Sequence, residues 1–336
     1  MTATFPARRV SLPLQRPGLL KFAAALALSL AAGTALAQAF PNKPVRAIVP
    51  YPPGGIVDIM GRTIAERVAA NIGQQVLVEN RPGANGMIGT EAVLNANPDG
   101  YTWLIASASH VSNAAIYKGE LRWDPVRDFQ PIGLFGKAYN FLVVPASSPA
   151  KTVAELVALV KSQPGKHNFG NPGNGTPPHI AFELFKHSAG LDIQGIGYKG
   201  YAPLLPDLFA GRLSTSMLAS TLAIQHAKSG NVRVLAVLND ERVKEFPDVP
   251  TLAQAGYPEA QLVSWFGVLV PRKTPPEVVK RIVAEVEKAA KSPEMLDRLD
   301  KAGNLPAWLG PEAFEAHMKA EMPNWERIVK TAGIKP

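Results

Sequence analysis

The spacing of apolar residues changes period repeatedly along this chain. Residues 45–50 form a short apolar run of strand type, after which Met60, Ile64, Val68 and Ile72 recur every fourth position, giving one helix face that Gly73 ends. Residues 76–78 read as a second strand, followed by the loop Arg81-Pro82-Gly83-Ala84-Asn85-Gly86 and a helix to about Asn95. The turn Asn97-Pro98-Asp99-Gly100 then leads into a strand at 102–106. A second region opens after a strand at 141–144, where Thr152 and Glu155 form a capping box before Val153, Leu156, Val157 and Val160. Strands near Asn168 and Ile193 alternate with helices from about His179 and Ala202, and strands at 213–218 and 232–238 close the region. Two helices end the chain: one from Pro275 to about Ser292, with Thr274 and Glu277 as its capping pair, and one over 311–330.

Alternation of this kind predicts an α/β protein with mostly parallel sheets. The helices after residue 240 belong to the first region, so residues 38–139 and 241–336 are expected to form one discontinuous domain around an inserted domain at 140–240. A cleft between two such lobes is a common small-molecule site.

Composition adds the compartment. The 336 residues are 46% hydrophobic and 18% charged with no cysteine, enough for a large core without disulfides or a metal. The formal charge is +8, but Arg8, Arg9, Arg16 and Lys21 precede residue 38 where no acid occurs, leaving 31 basic against 27 acidic residues. That mild excess lacks the basic stripe that nucleic-acid binding uses. A basic start, an apolar run at 22–30 and the small-residue site Ala35-Leu36-Ala37 make a secretory signal peptide, with cleavage expected after Ala37. The alternative, a membrane anchor, would need an apolar run of ~20 residues, which is longer than this one. Arg8-Arg9 lacks twin-arginine flanks, so the general export route is expected, and a cysteine-free core suits an oxidising compartment.

Two glycine- and proline-rich segments lie between a strand and a helix. One is Tyr51-Pro52-Pro53-Gly54-Gly55-Ile56-Val57-Asp58, and the other is Gly170-Asn171-Pro172-Gly173-Asn174-Gly175-Thr176-Pro177-Pro178-His179. The amides of a following helix can receive an anion there, so two facing loops would make a two-sided carboxylate clamp. The competing account is two ordinary tight connections. Two nucleotide motifs fail: Thr176 stands where a P-loop needs lysine, and the Gly195-Ile196-Gly197-Tyr198-Lys199-Gly200 fingerprint has no acid about 20 residues on. There is no nucleophile elbow, His-Glu-x-x-His helix or metal-ligand histidine spacing. His110 beside Ser107 and Ser109 suggests a base and nucleophile only weakly, and a structural histidine is the simpler expectation. Neither an enzyme nor a cofactor is expected.

From about Pro44 onward the chain resembles the substrate-binding proteins of tripartite tricarboxylate transporters, the Bug family. The likeness is carried by residues 48–58, Val78-Glu79-Asn80-Arg81-Pro82-Gly83-Ala84, Pro98-Asp99-Gly100-Tyr101, 172–185, Tyr198-Lys199-Gly200 and Ser264-Trp265-Phe266-Gly267. The resemblance implies a type II periplasmic binding fold, two lobes each with a central β-sheet flanked by helices, joined by two crossover strands. It also implies a protein that closes over a small organic carboxylate and delivers it to membrane permease subunits; a monomer is expected. The carboxylate would be held by backbone amides, hydroxyls and water, without an arginine. Carried over by position, the contacts are Tyr51, Pro53, Gly54 and Gly55 in the first loop and Asn171, Gly173, Asn174, Gly175 and Thr176 in the second. Ser107, Ser109, His110 and Asn113 match a further cleft-lining stretch. Asp58, His179, Tyr198 and Leu218 complete the candidate set.

Departures from the family pattern bear on the ligand. Ile56 and Val57 replace the small or hydroxyl residues before the aspartate, residues 214–220 around Leu218 contain no acid, and Tyr201 stands where a small residue is usual. Each change could serve packing, but together they favour an apolar or aromatic acid. The alternatives are an exported hydrolase-like enzyme using His110 and a ligand-sensing module for a membrane receptor.

Overall fold

The computed structural model describes Met1 and residues 40–239 and 241–334, so the signal segment and its cleavage point lie outside the described residues. In chain order the first elements are β1 (Val45–Val49), α1 (Ile56–Ile72), β2 (Val76–Asn80), α2 (Met87–Leu94), β3 (Thr102–Ser107) and α3 (Ser109–Ile116). There follow β4 (Phe129–Pro145), α4 (Val153–Ser162), β5 (Asn168–Asn171), α5 (Pro177–Ala189), β6 (Gln194–Gly197) and α6 (Tyr201–Phe209). The remainder comprises β7 (Thr215–Ala219), α7 (Ser220–Lys228), β8 (Val232–Val237), β9 (Val263–Pro271), α8 (Pro276–Ala290), α9 (Pro293–Lys301), β10 (Leu305–Leu309) and α10 (Pro311–Thr331).

The 17-residue strand β4 organises the rest. Its first part pairs with β9 as far as Tyr139↔Val263, and with β10. From Asn140↔Ala219 onward it pairs with β7, and also with β8. The first sheet therefore runs β2-β1-β3-β9-β4, and the second continues β4-β7-β5-β6. The chain returns through residues 238–262 to β9, whose first residue pairs beside the crossing point.

The sheets are mixed, which corrects the expectation of mostly parallel pairing. β1 is parallel to β2 and β3, and β5 is parallel to β6 and β7. Every pair made by β4 is antiparallel, as is β3 with β9. Apolar runs mark a buried strand but do not set its direction.

Local signals fare unevenly. Gly73 ends α1 in the left-handed region at φ 65°, its N–H donating to the Ala69 carbonyl, as its position past the apolar stripe requires. Half of the Thr152–Glu155 box forms: Glu155 N donates to Thr152 Oγ1 at 3.1 Å, whereas the Glu155 side chain accepts from Lys151 N, one residue before the cap, at 2.6 Å. The expected Thr274 cap does not: its hydroxyl donates to the Pro271 carbonyl, and Pro275 occupies the cap position of α8. Two buried clusters carry the packing. One surrounds Trp265, Phe314 and Trp325, and the other gathers Phe141, Tyr201, Leu204, Leu208 and Leu218.

Candidate functional site

The turn between β1 and α1 is held from within. Gly54 has φ 80°, a conformation that glycine adopts without a Cβ penalty, and its N–H donates to Asp58 Oδ2 at 2.9 Å. Asn80 Nδ2 donates to Asp58 Oδ1 at 2.9 Å, and Arg62 Nε donates to Oδ2 at 3.1 Å. Burial alone would raise the Asp58 pKa, but Arg62, the Gly54 amide and Asn80 together hold it below the ordinary carboxylate value. Asp58 is thus a brace for the loop, and the Gly54 amide is engaged by it. Both are corrected from ligand contacts to supports. Gly55 caps α1 without any side-chain acceptor, which leaves the first-turn amides of this helix open to a ligand.

The residues at this helix start border a cavity. The first loop contributes Tyr51, Pro52, Pro53, Gly55, Ile56 and Val57, and Ser107 and Ser109 stand at the end of β3. Pro172, Thr176, Pro177 and Pro178 come from the second loop, and Lys199, Gly200, Tyr201 and Ala202 from the start of α6. Ala138, Asn140, Ala219, Ser264 and Phe266 close it from the strands. The space open to the centres of water-sized molecules is about 80 Å³, several times the ~10–15 Å³ that one water needs. Lys199, which is exposed, is the only charged side chain of this lining.

The polar lining groups other than Lys199 are neutral. Burial pushes the Tyr51 phenol pKa up, partly offset by the hydroxyls of Ser109 and Ser107, and its O–H donates to the Asn85 carbonyl at 3.3 Å. Burial likewise raises the Tyr201 pKa. Ser109 Oγ and Asn140 Nδ2 are buried and make no hydrogen bond of ordinary geometry.

The second loop does not supply the expected amides. Gly173 N donates to Asn171 Oδ1 at 3.0 Å, Gly175 N to His179 Nδ1 at 3.1 Å, and Thr176 N to the Gly173 carbonyl at 3.2 Å. Pro177 and Pro178 open α5 and carry no N–H at all. Accordingly Asn171, Gly173, Asn174, Gly175 and His179 lie outside the lining, and the loop presents an apolar wall with the Thr176 side chain. Gly175, at φ 77°, instead packs on the first region: a Cβ there would lie 2.7 Å from Asn85 Nδ2 and 3.0 Å from Ile116 Cδ1. Asn85 is itself in the left-handed region at φ 49° and is fixed by two hydrogen bonds with Asn113, at 2.8 and 3.1 Å. Asn113 is therefore a support.

Three further candidates face elsewhere. His110 is buried with Nε2 2.9 Å from the Pro125 carbonyl, its ring stacked on Trp123 at 4.8 Å, and burial brings its pKa down to about 4. Its Nδ1 has no partner, so the base–nucleophile pair with Ser107 or Ser109 is not formed. The Tyr198 hydroxyl donates to Asp207 Oδ2 at 2.6 Å, and Leu218 is fully buried in the second core. Neither borders the cavity. Ile56, Val57 and Tyr201 do, while Ile56 also packs against the second core.

Ala138, Asn140, Ser264 and Phe266 were missed as lining residues. Asn140 had a legible signal, a lone amide at the head of the apolar run 141–144. Among the described residues, no group of three or more His, Asp or Glu side chains could hold a metal ion, and no helix is long and apolar enough to cross a membrane.

The chain is 32% identical to the protein BugT of Bordetella pertussis, across 89% of this chain and 92% of that one. Its structure superposes on an R. palustris protein with adipate at a TM-score of 0.84, with 33% identity and coverage of 88% of this chain and 99% of the other. MatC from Rhodopseudomonas palustris with bound malate matches at a TM-score of 0.80 and 28% identity, covering 86% of this chain and 100% of that one. This is an α/β periplasmic binding protein fold. Residues 60–334 match the tripartite tricarboxylate transporter family receptor, a family of receptors and not of enzymes, and the chain belongs to that family.

Proposed function

We propose that the protein captures a small organic carboxylate in this cavity and delivers it to the permease subunits of a tripartite tricarboxylate-type transporter. It acts in the periplasm after cleavage behind Ala37, as a monomer, with residues 38–139 and 241–336 forming one lobe and 140–240 the other. The observation that carries the proposal is the uncapped start of α1, bordered by Gly55, Ile56 and Val57, opening into an otherwise uncharged cavity. A helix start of this kind favours an anion, and low local polarity strengthens the attraction. The carboxylates in the two related structures, adipate and malate, are consistent with that chemistry.

The ligand has an apolar or aromatic body. Ile56, Val57, Tyr201 and Phe266 support this, since burying an apolar group against them is favourable by roughly 25 cal/mol per Å². Leu218 gives no support because it is core. Calorimetric titration against an organic-acid panel tests both parts: the proposal predicts tighter binding of acids with apolar chains or rings. Tight binding only of a tricarboxylate or an amino acid rejects the apolar body, and binding of no acid rejects the carboxylate.

A further inference from the structure

A second polar position in the cavity is occupied by Asn140. This residue is 1% exposed and borders the cavity, yet its Nδ2 donor has no partner. Its backbone cannot shift to find one. Asn140 opens the pairing of β4 with β7, directly after Tyr139 closes the pairing with β9, and its carbonyl accepts from Leu238 N at 2.8 Å. Of the other cavity residues on the strands, Ala138, Ala219 and Phe266 offer no side-chain acceptor, and the Ser264 hydroxyl is not within hydrogen-bond geometry of Asn140 Nδ2. Buried donors in native proteins are nearly always paired, and an unpaired one is costly to retain.

We infer that Asn140 is a specificity-determining residue whose side-chain amide hydrogen-bonds a neutral oxygen of the ligand remote from its carboxylate, so that the ligand class is an oxo acid with an apolar body. This rests on the carboxylate proposal above. The single cation of the lining, Lys199, lies beside Gly200, where a Cβ would sit 3.5 Å from Pro52 Cγ of the first loop. A second ionised carboxylate at Asn140 would meet one neutral amide and lose its hydration, whereas a keto oxygen is satisfied by a single N–H.

The test is calorimetric titration of the wild-type protein with hexanoate, a hexanoate series carrying a keto oxygen at each successive carbon, and adipate. At one keto position the wild type is expected to bind about 10-fold tighter than hexanoate, because a site with a buried donor rejects the analogue that leaves it unpaired. In Asn140→Leu that ratio is expected to fall to about twofold or less, as the donor is gone. Asn140→Ala reads the same ratio should the leucine variant fail to fold. Equal binding of all keto acids and hexanoate by the wild type overturns the inference, since water would then satisfy Asn140, as does an unchanged ratio in the variant, which would mean that another group reads the oxygen. Adipate binding above every keto acid overturns the neutral-oxygen assignment. Failure of every acid to bind sinks the carboxylate proposal itself, a result distinct from equal binding.

Discussion

Asp58 shows how neighbours in sequence divide their labour. Ile56 and Val57 face the cavity, while the next side chain turns inward to collect Gly54, Arg62 and Asn80. Removing it in Asp58→Ala strands the Gly54 and Asn80 donors, and should cost about 2 kcal/mol of stability in urea unfolding. A loss below about 0.5 kcal/mol would show that the brace is dispensable. Gly175 poses the converse case. Its place in the second loop was legible, but its role was not: the engaged amide and the contact with Asn85 make it a packing position against the turn at 84–86. Gly175→Val forces a β-branched residue to positive φ, costing roughly 1–2 kcal/mol, and pushes the loop off Asn85. Ligand affinity should fall together with the unfolding midpoint; a stable variant with unchanged affinity would contradict this contact. Glycine spacing in a sequence marks a loop, whereas the direction of each amide depends on tertiary partners.

Helix starts account for much of the difference between the expected contacts and the cavity lining. Both loops lead into a helix, and the sequence pattern alone makes both candidate amide donors. α1 keeps that capacity, but α5 begins with Pro177-Pro178 and loses its first two amides, a consequence visible in the sequence from the chemistry of proline alone. The α5 start is braced by His179, whose Nδ1 must be unprotonated to accept from Gly175 N. Burial, assisted by Lys186, brings the His179 pKa down to about 4, the same level as His110. In the unfolded chain a histidine takes up its proton near pH 6.5, so between there and about pH 4 the unfolded state binds more protons. Stability contributed by the two neutral rings is therefore complete above pH 6.5 and is lost as pH falls to about 4. Each ring accounts for up to about 3 kcal/mol. Urea midpoints should decline over this range, and less steeply in His110→Gln. An equally steep decline in that variant would remove His110 from the account.

Across the whole molecule, alternation of periods was sufficient to give the α/β class, because helices and strands leave different spacings of apolar residues. The mixed pairing was not legible. β4 is continuous through two sheets, and a long buried strand shows the same apolar run whichever direction its neighbours take. α9 also went unread. Its buried positions are only Met295 and Leu299, too few to stand out as a stripe. The continuity of β4 has a functional side, since it brings Ala138 and Asn140 from consecutive pairing regions to one cavity, together with the loops that precede α1 and α5.

The central claim is that the start of α1, and not a pair of opposed loops, holds the carboxylate. Determining the structure with the tightest-binding acid of the titration panel tests it most directly. A carboxylate oxygen is predicted within about 2.7–3.2 Å of the amide nitrogen of Ile56 or Val57, with the second loop contributing the Thr176 side chain and apolar contact. A carboxylate held instead by the amides of Gly173 or Gly175, or by Lys199 alone, would contradict it.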